Sequence, residues 1–403
     1  MKHLVALLLV ITMMLITTAC SSDQHIGSTT APSQTPTTVP SMVPSTEGQL
    51  YTEMGVAVEQ SYFSGGVMRN PWDVEMYNGR LYVASGNYDT NAGPVSVWYY
   101  DFDKKIWEID TILPDEQITR FNIIDSKMYI PGVDPKSSWD MGTYYRLDGT
   151  EWETILGHPN AAHNFDIVKY DGKLFAGLGA KEGCNPILVT TDEETWAPVE
   201  MYKNGVPVDT TGYTYVRVYD FFTLKGELYA YFSLSESGKP SYREIYRYDG
   251  EKFVWHSDMI KQMSFSRRNT YTHFHQRVEY KGYQYITNGN FYRTADMITA
   301  EAITLGGDPE VNDLRVIGDK LYVLCSEEYT TDEGNAAFYN SLQMTTDGVD
   351  YTEVFRFSYP VRALSFTYEG GTVFLGMGFG TKAASTHLFY DENGMILAIN
   401  QVL

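Results

Sequence analysis

Cysteine is almost absent from this chain, with 3 in 403 residues, and the three are far apart at Cys20, Cys184 and Cys325. No spacing of Cys and His resembles a zinc ligand set, so a thiolate metal centre is excluded. Basic charge is also short: 30 Lys and Arg stand against 51 Asp and Glu, a formal net charge of -21. That balance makes nucleic acid a poor partner. It favours cations or neutral and basic ligands, and it also serves simply to keep a protein soluble. A membrane-spanning run is missing too. The apolar stretch at 4–16 is shorter than the roughly 20 residues that cross a bilayer. Helical periodicity of any length is not found.

What is present begins with an export pattern. Met1-Lys2-His3, the apolar stretch and Thr17-Thr18-Ala19 before Cys20 read as a secretion signal over 1–19. Residues 20–49 are rich in Ser, Thr, Pro and Gln and read as a solvated tether. The junction resembles the lipobox of bacterial lipoproteins, with Thr17 where that family usually has Leu. The resemblance implies a lipid on Cys20, a membrane anchor and an extracytoplasmic location. Residues 50–403 form the folded domain.

That domain repeats one pattern. NGRLYV at 78–83 is a strand, a tight turn and a second strand, and copies begin near Asn78, Asp125, Asp171, Lys225, Lys281, Gly318 and Glu369. After each hairpin come a loop, a third strand, a turn rich in Asp and Gly, and a fourth strand. Units of this kind bury their faces only against one another, so the pattern predicts an all-β, seven-bladed β-propeller of four-stranded antiparallel blades. A six-bladed ring with one irregular unit is the alternative. Residues 50–63 have strand character and are expected to join the last blade and close the ring. The two Cys of the body fall in the third and sixth repeats, nearly opposite in a ring of seven. That is beyond the roughly 7 Å between Cα atoms that a disulfide spans, so two free thiols are expected.

The repeat resembles the blades of kelch-type propellers, without their double glycine. The turns Thr190-Thr191-Asp192 to Trp196 and Thr345-Thr346-Asp347-Gly348 to Tyr351 are similar to the Asp-box turn of sialidase-like propellers. No Arg-Ile-Pro signature for sialidase chemistry accompanies them. The turn Asp residues are expected to bond to nearby backbone.

Connections at one end of the strands are tight turns, whereas 85–94, 131–142, 177–185, 233–243, 325–340 and 376–386 are long and mark the expected working face. Counting six residues back from each hairpin turn, about 20 Å along the inner strand, reaches the channel mouth on that face. There stand Asp73, Arg120, Asp166, Asp220, Gln276, Asp313 and Leu364, with Arg69, Trp72, His163, Asn164, Arg217, His273, His275, Asn312 and Arg362 close by in the chain and Arg277 just after Gln276.

The candidate ligand-binding set is Arg69, Trp72, Asp73, Arg120, Asp166, Arg217, Asp220, Asp313 and Arg362. The Asp column has two readings: a binding mouth, or carboxylates bonded to the backbone of the adjacent blade. A Ca²⁺ ion would need several of them to converge. Otherwise no cofactor motif is visible. Trp72, Tyr88, Trp139, Tyr242 and Tyr329 are the loop aromatics that could stack on sugars.

Two functions compete. One is a monomeric surface lipoprotein that binds a glycan, peptide or partner protein on the long-loop face. The other is a polysaccharide-active enzyme, by analogy with propellers that are polysaccharide lyases. Its candidate catalytic residues are His163, His273, His275 and Tyr271, with Arg277 as the group that neutralises a uronate.

Overall fold

The computed structural model describes residues 50–58, 69–87, 93–135, 141–236, 242–264, 274, 276–287, 289–379 and 391–400. The expected export signal, Cys20 and the expected tether lie outside the described residues, as do Tyr88, Trp139, Tyr271, His273 and His275. The fold is all-β and propeller-like, built from four-stranded antiparallel sheets. Among the described residues the helical segment Met259–Gln262 is a 3-10 turn, and there is no α-helix.

The hairpins form as their sequences dictate. Asp73–Tyr77 pairs with Arg80–Ala84 through Asn78 and Gly79, both at positive φ (49° and 75°). Positive φ at both central positions is the hairpin turn whose twist matches that of the flanking strands. Asp125 and Ser126 make the same turn without a glycine, at φ 50° and 62°.

Seven separate blades are not what forms. Among the described residues five four-stranded sheets stand apart, and a sixth sheet holds twelve strands. The third and fourth sequence repeats both fall in that larger sheet. Lys173–Ala180 of one pairs with Tyr215–Leu224 of the other through Gly179 opposite Arg217 and Ala180 opposite Val216. The stretch from 177, expected as loop, is therefore strand as far as Ala180. Its glycines allow the approach: a Cβ on Gly177 would lie 2.9 Å from Val218. Much of 325–340 is strand as well, since Lys320–Thr330 and Ala336–Thr345 pair along their full length.

The core lies between sheets. Tyr82, Val97 and Tyr99 of the first sheet pack with Met128, Ile130 and Leu147 of the next. Tyr322, Phe355 and Phe357 pack with Phe366, Leu375 and Leu397 across another such interface. Most of the Tyr and Phe content is absorbed there. Thr52–Val56 pairs antiparallel with Met395–Asn400 and becomes the outer strand of the sheet that begins at Arg362.

Candidate ligand site at the loop end of the channel

Inner strands carry one aspartate each in four of the repeats, and all four do the same work. Asp73 Oδ2 accepts the backbone N–H of Phe121 at 2.9 Å, Asp166 that of Phe221 at 2.8 Å, Asp220 that of Phe274 at 3.1 Å and Asp313 that of Phe366 at 2.8 Å. Each carboxylate is buried and bonds to the backbone in, or just before, the inner strand of the following repeat. The bond satisfies an N–H that would otherwise be stranded where the strands diverge from the channel axis.

Buried carboxylates need counter-charges, and three arginines supply them. Arg120 lies 3.1 Å from Asp220 and 3.7 Å from Asp166, and it donates to the Phe274 carbonyl at 3.0 Å. Arg277 bonds to Asp166, lies 3.3 Å from Asp220 and donates to the Phe221 carbonyl. Arg315 reaches Asp73 at 3.0 Å, Glu75 at 2.5 Å and the Val74 carbonyl at 2.9 Å, with Asp313 3.9 Å away. Burial pushes Asp73 and Asp166 up to about 7 and Asp313 up to about 6, against the pull of these guanidinium groups.

Sequence reasoning missed Glu75 and Arg315. Each stands two residues after a column aspartate, on the same face of its strand, and that alternation was the available signal. Between this charged layer and the hairpin turns are two cavities of about 560 Å³ and 540 Å³. Arg120, Lys169, Thr223 and Arg277 line the first, and Glu75, Glu279, Arg315 and Thr367 the second. Among the described residues no group of three or more His, Cys, Asp or Glu side chains could hold a metal ion.

The remaining candidates are dispersed around the loop end. Arg69 donates to the Asp391 carbonyl at 3.2 Å, and Arg362 bonds to Glu310 at 2.6 Å while lying over the Phe338 ring. Trp72 donates its indole N–H to the Gly86 carbonyl at 2.7 Å and packs on the core of the first two sheets. Tyr242 meets Tyr213 edge-on, and Tyr329 stacks on Tyr339 with ring centroids 4.1 Å apart.

Two candidates do come together. His163 pairs with Gly179, and Gly179 on its other side pairs with Arg217, so the three form one row across the seam of the large sheet. Directly opposed residues of antiparallel strands share a face, which puts the imidazole and the guanidinium on the same side, about 10 Å apart at the backbone. Gly179 has to be bare because the His163 and Phe165 rings already fill the space above it: a Cβ there would lie 2.6 Å from His163 Cδ2 and 3.0 Å from the Phe165 ring.

His163 stacks on Phe165 at 5.1 Å, and Arg217 lies over Tyr215, Phe165 and Tyr219 at 4.6, 5.6 and 5.7 Å. Arg217 donates to the Tyr219 hydroxyl at 2.9 Å. Among the described residues no carboxylate pairs with it. Burial, and then the charge of Arg217, lower His163 to about 3, so its imidazole is neutral at ordinary pH. Beside it Asn164 is fully buried, with neither side-chain amide atom hydrogen-bonded within the described residues.

No family model matches the chain. No curated protein matches it either. Among solved structures it is similar to virginiamycin B lyase from Staphylococcus aureus, at 11% identity over 87% of this chain and 98% of that one, with a TM-score of 0.47. It is similar also to polysaccharide lyase Uly1, at 11% identity over 89% and 94%, TM-score 0.43. A third is the GH93 α-L-arabinofuranosidase of Fusarium graminearum, at 13% identity over 73% and 98%, TM-score 0.41. These neighbours are propeller-fold proteins that include lyases and a glycoside hydrolase, and the likeness does not decide between binding and catalysis.

Proposed function

We propose that the protein is an extracytoplasmic, lipid-anchored binding propeller that takes a glycan, peptide or partner protein on its long-loop face, in the row His163, Gly179 and Arg217. In this reading the twelve-stranded sheet is two blades zipped together at the loop end, which restores a ring of seven. The observation that carries the site is Arg217, a half-buried guanidinium cushioned on three rings at a seam where the bare Gly179 lets His163 and Phe165 close over the sheet. Binding is favoured over catalysis for this row because an imidazole held near 3 is a weak base, far from the pH at which it would have to take a proton. The test is a ligand screen of the full-length chain in detergent micelles, followed by Arg217→Ala. At least a tenfold loss of affinity is expected, by roughly the worth of a charge-assisted hydrogen bond. Unchanged affinity for every ligand found overturns the site.

The alternative is lyase-type chemistry on a polysaccharide, with His273, His275 or Tyr271 as base. Phe274 favours it, since its N–H and carbonyl are bonded to Asp220 and Arg120 in the charged layer and the two histidines are its neighbours in sequence. Arg277 would neutralise the uronate only by leaving Asp166, Asp220 and the Phe221 carbonyl. Polysaccharide lysis raises ultraviolet absorbance through the unsaturated product, and no rise across a wide panel of uronate polymers removes this reading.

A further inference from the structure

We propose that the ligand of the seam is an acidic glycan and that Arg217 takes its carboxylate; this rests on the site reading above. The first ground is charge. At the loop end and in the layer beneath it, Arg120, Arg277, Arg315 and Arg362 are each within ion-pair distance of carboxylates of the chain. Among the described residues Arg217 is not. Its guanidinium has five N–H donors, and the Tyr219 hydroxyl takes one. A half-buried guanidinium of this kind keeps its electrostatic reach because solvent screens it incompletely, and its planar fork matches a carboxylate.

The second ground is shape and composition. Tyr215, beside Arg217, is 45% exposed, while Phe165 and Tyr219 are buried beneath the same guanidinium. An exposed ring next to a cation suits a sugar, which presents an apolar C–H face and a carboxylate on one compact unit. His163 is neutral and adds no second charge, so the row carries a single positive charge for a single carboxylate. The net charge of -21 disfavours any acidic ligand at long range, so the attraction is local to Arg217, and the exposed Tyr215 ring is what favours a sugar over an acidic peptide.

The experiment is calorimetric titration of the full-length chain in detergent micelles with oligogalacturonate, with its methyl ester, and with a short polyglutamate. Oligogalacturonate is expected to bind about tenfold or more tightly than the uncharged ester, the range for a charge-assisted hydrogen bond. Arg217→Gln should abolish that preference, and Arg217→Lys should keep part of it, because the charge remains while the planar fork is lost. Thermal melts of each variant verify folding.

Equal affinity for acid and ester, a preference that survives Arg217→Gln, tighter binding of polyglutamate, or no binding of any probe each overturns the proposal. Gly179→Ala separates the two levels. If acid and ester bind equally and both are lost in Gly179→Ala, the site stands and the acidic assignment falls. If acid binds Gly179→Ala and Arg217→Gln as it binds the native chain, the site falls too.

Discussion

On one side of the channel Arg120 and Arg277 face Asp166 and Asp220; on the other, Arg315 alone faces Asp73, Glu75 and Asp313. Both sides use aspartate for the same purpose, to hold the N–H of the next inner strand. They differ in how the buried charge is compensated. The first side brings two guanidinium groups to two carboxylates. The second has one for three, so Glu75 and Asp313 add to the burial that pushes Asp73 upward. A proton is the natural extra counter-charge there. Yet Asp166 is pushed up as far as Asp73, so burial outweighs the second guanidinium, and the two sides differ in the like charges that surround each carboxylate rather than in the direction of its shift.

The largest expected effect comes from removing the cations. Arg120→Met leaves two buried carboxylates sharing Arg277 and should cost about 3–5 kcal/mol in denaturant unfolding, as broken buried ion pairs do. Arg315→Met should cost less at pH 5, where Asp73 and Asp313 take up protons, and progressively more toward pH 8. Equal losses for both variants at both pH values would dissolve the contrast.

Asp313→Asn comes next. The Asp313 carboxyl titrates near 3.8 when unfolded and is pushed up to about 6 in the fold. Its contribution to stability is therefore fully present below about pH 4 and is lost as pH rises through 6. Relative to the variant, the native chain should lose about 3 kcal/mol between pH 4 and 7, read from unfolding curves across that range. A constant gap would mean that Asp313 stays ionised throughout. Glu75→Gln is the mildest change. Two acids remain for Arg315, so stability at pH 7 should move by no more than about 1 kcal/mol. A larger loss would show that Glu75 is the principal partner of Arg315.

Much of the architecture was legible because its signals are local. Alternating strands, positive-φ turns and the six-residue offset from turn to mouth placed Asp73, Asp166, Asp220 and Asp313 in one tier, where the structure has them. The turn at Thr190 was visible for the same reason: Asp192 Oδ1 accepts the N–H groups of Glu194 and Thr195. An equivalent turn at Thr294 escaped notice because Ala295 replaces the second Thr of Thr190-Thr191-Asp192 and Thr345-Thr346-Asp347, although Asp296 bonds to the backbone in the same way. The seam escaped for a deeper reason. Glycine is a poor strand former, so 177–185 looked like loop, yet here missing side chains let two strands approach. Whether Arg120 and Arg277 bind a ligand or balance internal charge depends on which repeats lie beside them, and a linear pattern does not carry that.

The pairing of Thr52 with Ala398 also sets an order of events in time. A chain made from its N-terminus releases this strand first and supplies its partner only when residues 395–400 have emerged. Until then the sheet beginning at Arg362 lacks its outer strand, and Tyr359 lacks the Glu53 carboxylate to which its hydroxyl donates. Completion of that sheet is thus a late, long-range step, slow by nature because the whole intervening chain must already be arranged.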